Sequence, residues 1–485
     1  MVKWLSKRMR YLIQYGPRCR ALKVRIHCFM TQSTSGSFWG RITEKTEYFW
    51  NTNLYFALML AVTAVSMLTQ NVVPSTVALA VLCAWMLVFC RDILAAALPF
   101  LLIFLLSTLQ YNDLSVFLPC APLAALVIGG LIVPLVRWKK PAVAGRSIRS
   151  LLAVSVATLL GGVGFIPASQ YFSPLSVYYT LGLGLGLLAV YLLLRAELEL
   201  PRSYDLLCRL MQLLYTIGLA MVLAVGSYYL HHWAEFSQCW ELPGISYRNF
   251  AATILVSTLP AVFYMAGRSR RHLFTVLLWC AAMFFSGSRS ALLFGAVMVL
   301  LGFVYLVKRN YLPLWSFFVI VASVTVIMAL FGSQIYDMFF GARGDPDHFI
   351  SPTEERWLLL DRGFADFFNH PLLGIGLGNQ KNIDLFAGVP GSMVFYHNAV
   401  LQVMGSMGIV GVAAYTLLLG DRLRLLLHDR EACYMAGMYY LGMLMVSMTN
   451  PGLFCPLPNA ALTVLVFTVL EKCVDGPAAV LHRRK

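Results

Sequence analysis

Long apolar blocks separated by short polar stretches repeat along this chain from about residue 48 to residue 473. Most blocks are about 17–23 residues long, which is enough for a helix to cross a hydrocarbon layer of roughly 30 Å. We therefore predict an all-α, polytopic integral membrane protein with about 14 transmembrane helices. The predicted spans are roughly 48–68, 72–90, 93–110, 115–136, 150–167, 175–194, 207–229, 250–267, 273–286, 290–307, 313–331, 397–419, 433–450 and 458–473.

The distribution of basic residues predicts how these spans are oriented. If the N-terminus is cytoplasmic and the spans alternate, all but six of the 37 Lys and Arg fall on the cytoplasmic side. This asymmetry follows the positive-inside rule, so we predict that both termini are cytoplasmic. The six exceptions are Arg248, Arg289, Arg343, Arg356, Arg362 and Lys381.

Composition excludes an ordinary soluble protein. The chain has 485 residues, of which 59% are hydrophobic and 12% are charged, and its formal net charge is +15. A soluble protein of this length cannot bury so much apolar surface in a few cores. Because most of the positive charge lies on the predicted cytoplasmic side, it faces anionic lipid headgroups and does not indicate a nucleic-acid partner.

These patterns divide the chain into five parts. They are a basic cytoplasmic arm (1–47), a membrane domain with the first eleven spans (48–331), an extracytoplasmic loop (332–396), the last three spans (397–473) and a cytoplasmic tail (474–485). The eleven cysteines include no C-x-x-C pair and no Cys/His spacing typical of zinc. Cys239 and Cys455 fall in predicted outward loops, and the sequence leaves open whether they form a disulfide.

The long loop contains a predicted amphipathic helix, SPTEERWLLLDRGFADFF, residues 351–368. Ser351 is the expected N-cap, Pro352 the first helical residue and Glu354 the partner in a capping box. His370-Pro371 is expected to end the helix. An apolar stripe formed by Trp357, Leu360, Phe364 and Phe367 or Phe368 suits a helix that lies on the outer membrane surface.

Two arginines on the predicted outer side are candidate anion-binding residues. Arg289 lies in the short polar segment SGSRS, residues 286–290, between two apolar blocks, and Arg356 lies in the first turn of the loop helix. A guanidinium grips a phosphate in a bidentate manner, and an arginine at membrane depth often faces an anion or a cavity. The alternatives are a snorkelling side chain for Arg289 and neutralisation by Glu354 and Glu355 for Arg356.

The stretch YHNAVLQVMGSMGIVG, residues 396–411, opens the twelfth predicted span with a candidate general base. His397 can remove a proton near neutral pH, and Asn398 either caps the helix or orients the imidazole. Glycines 405, 408 and 411 recur every three residues and are expected to allow close packing of a neighbouring helix.

Three weaker features complete the candidates. Arg248 precedes the eighth predicted span, and GIGLG, residues 374–378, resembles a phosphate-cradling loop without the usual strand and helix around it. Asp345 and Asp347 are the nearest approach to an acidic metal-binding pair, and turn chemistry accounts for them equally well. We predict no metal and no cofactor.

The motifs SGSRSALL, ERW…A…HPLLGIGLGN and HNAVLQVMGSMGIVG occur in this order on the predicted outer face, and together they resemble the bacterial O-antigen ligase and O-antigen polymerase superfamily. The resemblance covers about residues 245–420. It implies transfer of an undecaprenyl-pyrophosphate-linked glycan to a sugar hydroxyl, on the outer face of the bacterial cytoplasmic membrane. It also implies that Arg289 and Arg356 hold the pyrophosphate and that His397 activates the acceptor. Arg248 is a looser match, because the family often has a proline in this stretch.

The sequence leaves three functions open. A polymerase acting in capsule, exopolysaccharide or O-antigen assembly is slightly favoured over a ligase. A flippase for lipid-linked oligosaccharides, or another transporter, would need charged residues deep within several spans, and few are found there. A peptidoglycan glycan polymerase shares the polytopic outline, but its motifs are not matched.

Overall fold

The computed structural model of the protein describes most of the chain between residues 38 and 475. The described ranges are 38–109, 114–137, 145–164, 174–198, 205–234, 247–315, 352–377, 396–450, 452–453 and 457–475, with single positions at 172, 237 and 245 and between 318 and 333. All regular secondary structure in these ranges is helical.

Sixteen α-helices lie within the described ranges. The first eight are α1 Phe38–Trp50, α2 Asn53–Thr69, α3 Val72–Phe89, α4 Leu94–Leu109, α5 Ala121–Arg137, α6 Ile148–Gly161, α7 Pro174–Thr180 and α8 Leu187–Glu197. The other eight are α9 Leu206–His231, α10 Arg248–Arg268, α11 Leu273–Phe285, α12 Arg289–Lys308, α13 Pro352–Asn369, α14 Ala399–Leu426, α15 Glu431–Ser447 and α16 Leu457–Asp475. Short 3-10 segments at Leu114–Cys120 and Arg270–His272 precede α5 and α11, and a π-helical segment, Leu181–Gly186, joins α7 to α8.

The helices confirm an all-helical, polytopic membrane protein. Eight helices in the described part are long and apolar enough to cross a membrane, or nine if the bent pair α1–α2 counts as one span. Helices α4 and α6 are shorter apolar helices, and α11 and α15 have only 13 and 17 residues. The predicted total of about 14 spans and their orientation therefore stay predictions. The predicted span 313–331 lies largely outside the described residues.

Helix α10 lies at the centre of the bundle, and its contacts show in which direction the neighbouring helices run. It packs against α9, α11, α12 and α15, and nearly all of its side chains are buried. Gly302 lies against the ring of Phe263, and both residues are in the last third of their helices, α12 and α10. The Tyr305 hydroxyl near the end of α12 donates to Glu431, the first residue of α15, at 2.6 Å. Helix α12 is therefore parallel and α15 antiparallel to α10. The starts of α10 and α12 and the end of α15 therefore share one end of the bundle, called the site end below, and the opposite end is called the far end.

Helix α14 lies between α6 and α13, and a polar network at the far end fixes the helices around it. The buried Glu471 carboxylate accepts hydrogen bonds from the Ser147 hydroxyl at 2.5 Å and the Tyr191 hydroxyl at 2.9 Å. Asp475 pairs with Arg146 and Arg195 at 2.8 and 3.3 Å. The buried Glu471 carboxylate is hydrogen-bonded and the more exposed Asp475 carboxylate is ion-paired, so these contacts hold α6, α8 and α16 together.

Candidate functional site

Helix α14 is broken at Gly408, about ten residues after it starts. Gly408 has φ +60° and ψ −156°, a conformation that is practically confined to glycine. In an unbroken helix the Gly405 carbonyl would accept from the Ile409 amide, and the Ser406 carbonyl would accept from the Val410 amide. The break frees these four groups for other partners.

An irregular segment, residues 371–377 with the sequence PLLGIGL, bonds to all four groups. The bonds are Ile409 N to Pro371 O at 2.8 Å, Val410 N to Leu372 O at 3.4 Å, Ile375 N to Gly405 O at 2.9 Å and Gly376 N to Ser406 O at 3.0 Å. The Leu377 amide donates to the Gly162 carbonyl, just after α6, at 2.6 Å. Irregular backbone within a membrane bundle is tolerated where protein satisfies its polar groups, and that condition is met here.

One expectation about the glycines is wrong, and one weak resemblance is not supported. Gly408 does not pack against a neighbouring helix, because its conformation breaks α14 and its neighbour is the irregular segment 371–377. GIGLG does not form a phosphate cradle, because the amides of residues 375, 376 and 377 already donate to backbone carbonyls. This part of the motif therefore serves packing.

Helix α13 is joined to the start of α14 by a buried tyrosine. The Tyr396 ring fills space left by glycines on both sides, since a Cβ at Gly363 or Gly405 would lie 3.1 or 2.9 Å from it. The Tyr396 hydroxyl donates to Asp366 Oδ2 at 2.6 Å, and both side chains are buried. This pair fixes α13 relative to the residue that follows Tyr396, which is His397.

We expect Tyr396→Phe to lower the free energy of unfolding by about 1–3 kcal/mol, because it removes a donor from the buried Asp366 carboxylate. Thermal unfolding of the purified protein measures this change. Tyr48→Phe is the matched control, since Tyr48 is 64% exposed. Equal unfolding midpoints for the two variants would contradict a stabilising role for the Tyr396–Asp366 bond.

The predicted loop helix agrees with α13, which runs from Pro352 to Asn369. Ser351, the predicted N-cap, lies outside the described residues, as do Cys239, Cys455 and the acidic pair near residue 345. The predicted apolar stripe is largely exposed, and it includes Trp357, Phe364 and Phe368. Packing on the bundle uses another face, formed by Leu359, Gly363 and Asp366. An exposed apolar face beside a membrane bundle is what contact with lipid requires.

His397 has an unusual backbone conformation. Its φ is +51°, which is uncommon for a residue with a side chain and is often found at functional sites. The half-buried imidazole has its Nδ1 atom 3.4 Å from Oδ1 of Asn450, three residues after α15 ends. The ring is thus fixed between the start of α14 and the end of α15.

Asn398 is the N-cap of α14. Its Oδ1 accepts from the amides of Val400 and Leu401 at 2.9 and 3.2 Å, and its Nδ2 donates to the Met448 carbonyl at 3.2 Å. Of the two roles that the sequence left open for Asn398, the structure therefore shows the helix cap. The amide beside the imidazole is Asn450.

Two arginines act on the charge of the imidazole. The pKa of His397 is lowered to about 4, first by burial and then by the positive charge of Arg356, with a smaller contribution from Arg248. The hydrogen bond to Asn450 acts in the opposite direction. The structure therefore brings together a neutral imidazole and two guanidinium groups from α13 and α10. Such a site can accept a proton and bind an anion.

Arg289 is the first residue of α12 and lies at the site end. Gly287, with φ +67°, allows the tight turn after α11, and the Ser288 hydroxyl bonds to the Ser290 hydroxyl at 2.9 Å. The Arg289 side chain is exposed at this end. The polar segment SGSRS is therefore the turn of a helical hairpin, and it places Arg289 at the same end of the bundle as His397.

An apolar groove begins at the start of α14, at Ala399, and follows α14 toward the far end. Its cavity volume is about 190 Å³. Val400 and Met448 line it near the site end, and Arg422 and Tyr440 line it near the far end. The Arg422 guanidinium lies 5.3 Å from the centre of the Tyr440 ring. The rest of the lining is mostly leucine, valine and alanine. The groove can hold a short part of a hydrocarbon chain.

Sequence reasoning missed Asn450 and the Tyr396–Asp366 pair. Asn450 lies in TNPG, directly after an apolar block, where an asparagine before proline reads as a turn signal. Its polar side chain at the predicted outer end of a span was the signal that could have marked it. No local signal could pair Tyr396 with Asp366, which is 30 residues away.

The described residues contain no group of three or more His, Cys, Asp or Glu side chains that could hold a metal ion. The charged side chains that act on the pKa of His397 are Arg356 and Arg248, and both are cationic. This part of the chain therefore suits an anionic ligand.

Residues 273–416 match a family model described as O-antigen ligase. The match contains α11, α12, α13 and the first part of α14, and with them Arg289, Arg356 and His397. It confirms the resemblance that the three motifs indicated. No curated protein matches the chain.

Proposed function

From the O-antigen ligase match over residues 273–416, we propose that this protein is a glycosyltransferase of the O-antigen ligase and polymerase type. It moves a glycan from an undecaprenyl-pyrophosphate donor to a sugar hydroxyl for surface polysaccharide synthesis. The observation that carries the proposal is the half-buried His397, which has a positive φ, bonds to Asn450 and lies within electrostatic range of Arg356 and Arg248. This arrangement supplies a base for the acceptor and positive charge for the departing pyrophosphate.

In the proposed reaction, His397 takes the proton of the acceptor hydroxyl while its oxygen attacks the anomeric carbon of the donor. The bond from that carbon to the pyrophosphate oxygen breaks, and the undecaprenyl pyrophosphate leaves with the bonding electrons. Guanidinium groups of Arg356 and Arg289 hold the pyrophosphate oxygens and stabilise the charge that develops on the leaving group. Arg248 adds positive charge to the same region.

The apolar groove along α14 supports a lipid-linked donor. Its lining includes Ala399 and Val400, which follow His397 closely in the chain, so a pyrophosphate at the imidazole leaves the polyprenyl chain near the groove entrance. Within a bilayer the chain gains little hydrophobic energy from leaving the lipid, so van der Waals packing against the groove supplies the binding energy.

Charge asymmetry supports an extracytoplasmic site. The far end carries the basic ends of α10 and α12 and the segment Arg270–His272. By the positive-inside rule this end faces the cytoplasm, so the site end faces outward. The protein is accordingly proposed to act on the outer face of the bacterial cytoplasmic membrane.

The direct test is reconstitution of the purified protein in liposomes with an undecaprenyl-pyrophosphate-linked glycan. A new glycosidic bond and released undecaprenyl pyrophosphate are expected, with EDTA without effect. Lengthening of the lipid-linked glycan identifies a polymerase, and transfer to lipid A core identifies a ligase. Movement of intact donor across the bilayer without a new bond would replace the proposal with the flippase alternative. Inhibition by EDTA that magnesium reverses would overturn metal independence.

We expect Val400→Trp to raise the KM for the lipid-linked donor about tenfold or more, because the indole fills the groove next to the site. A tenfold change corresponds to about 1.4 kcal/mol, which is the van der Waals packing lost when the chain no longer fits the groove. Leu417→Trp is the matched control, since Leu417 is exposed on the same helix and is not among the groove residues. Equal KM values for the two variants would show that the polyprenyl chain binds elsewhere.

A further inference from the structure

Asn450 is a buried amide with a fixed backbone beside His397. Its side chain is only 4% exposed. The backbone N–H of Asn450 donates to the Val446 carbonyl at 3.0 Å, and the backbone carbonyl of Asn450 accepts from the Gly452 N–H at 2.8 Å. The end of α15 thus fixes Asn450 while the start of α14 fixes the imidazole.

With Oδ1 of Asn450 placed against Nδ1 of His397, the hydrogen bond between them determines which imidazole nitrogen carries the proton. An amide oxygen only accepts, so the proton of the neutral imidazole must lie on Nδ1. Nε2 then carries a lone pair and is the nitrogen that can take a proton. We propose that Asn450 is the positioning residue of His397, holding the proton on Nδ1 so that Nε2 serves as the base. This inference rests on the proposed function.

A neutral partner suits this site better than a carboxylate. Arg356 faces His397 from α13 and Arg248 from α10, and both are cations provided for an anionic substrate. A carboxylate in the place of Asn450 would neutralise part of that charge and repel the pyrophosphate. The buried carboxylate of this region, Asp366, instead accepts from the Tyr396 hydroxyl. An amide orients the ring without adding negative charge.

The other amide atom of Asn450 gives independent support. Its Nδ2 is buried and has no hydrogen-bond partner among the described residues. A buried donor without an acceptor is costly and therefore calls for an explanation. With Oδ1 occupied by the imidazole, Nδ2 keeps a donor ready for a substrate oxygen. The opposite amide orientation would put Nδ2 against Nδ1 and move the imidazole proton to Nε2.

Solid-state NMR of histidine-labelled protein in bilayers separates these orientations. The His397 signals are those absent from His397→Asn. At neutral pH we expect a protonated Nδ1 and an unprotonated Nε2. Asn450→Leu should remove the preference for this tautomer, with Asn450→Ala as a second variant if the leucine variant does not fold. Asn450→Asp should keep the proton on Nδ1 and raise the pKa of His397.

Asn459→Leu is the matched control. Asn459 is also buried at the site end, with no hydrogen-bond partner for its Nδ2 in the described part of the chain, and its loss should leave the His397 signals unchanged. A proton on Nε2 in the unaltered protein, or an unchanged tautomer in Asn450→Leu, would overturn the inference. Because no substrate is present, this result stands whether or not the protein transfers glycan.

Kinetics give the second readout. Asn450→Leu should lower kcat about tenfold, the effect of one hydrogen bond, while the KM for donor changes less. Asn450→Asp should recover most of kcat and move the acid limb of the rate profile to higher pH. Full activity in Asn450→Leu would overturn the positioning role. Full activity in His397 variants, together with the expected NMR result, would overturn the catalytic proposal and leave the positioning intact.

Discussion

Replacing His397 with alanine should lower kcat for glycan transfer by about 100- to 10,000-fold, the usual contribution of a general base. The imidazole is the proposed proton acceptor. The other charged groups that act on it, Arg356 and Arg248, are already protonated at neutral pH and cannot take a proton. The assay is reconstituted transfer from a lipid-linked donor. Substrate binding should change much less, because the arginines that hold the pyrophosphate remain.

Folding must be separated from catalysis in this experiment. His397 has a positive φ, which alanine adopts poorly and asparagine tolerates better. His397→Asn therefore keeps the backbone and still lacks the base, and it should be as inactive as His397→Ala. His370→Asn is the matched control, since His370 is also half-buried and directly follows α13. Normal polymer or ligation product from His397→Asn would remove His397 from catalysis.

The low pKa of His397 gives this prediction a pH signature. The acid limb of kcat/KM, which reports the free enzyme, should lie near pH 4 instead of near 6.5. The unfolded chain binds this proton at higher pH than the folded chain does. The contribution of His397 to the free energy of unfolding is therefore complete above about pH 6.5 and is lost as the pH falls toward 4. A bound pyrophosphate raises the pKa, so the limb of kcat should lie at higher pH.

The parts of the fold that sequence reasoning predicted depend on local signals. The apolar blocks located helices along the described chain, and Pro352 and His370-Pro371 marked the two ends of α13. Caps, prolines and hydropathy act within a few residues, so a single sequence carries them. The number of spans was harder to predict, because α11 and α15 are too short to meet a span criterion alone.

The parts that were missed depend on contacts between distant residues. Gly405 and Gly408 suggested helix packing by their spacing, and only the pairing with segment 371–377 reveals the break in α14. The Tyr396–Asp366 bond and the Asn450–His397 bond likewise join residues 30 and 53 positions apart. Local propensity does not encode such pairings, and at functional sites tertiary contacts often override the local pattern.

Replacing Arg356 with alanine should lower kcat by about 100- to 1000-fold, the usual cost of losing one electrostatic contact to a developing charge. Arg356→Lys keeps the charge but offers a compact ammonium in place of a planar fork, so it should recover only part of the activity. Arg362→Ala is the matched control, since Arg362 lies on the same helix six positions along and loses the same charge. Equal losses in the Arg356 and Arg362 variants would indicate a general charge effect of α13.

The same variants separate a pyrophosphate contact from a structural role. The Arg356 charge lowers the pKa of His397, so Arg356→Ala should move the acid limb of kcat/KM to higher pH, whereas Arg356→Lys should leave it close to its original position. A merely structural arginine would reduce activity without this shift. The combination of lost rate and a raised acid limb therefore requires the guanidinium and the imidazole to share one pocket. An unshifted limb in Arg356→Ala would place them apart and remove the anion-binding half of the mechanism.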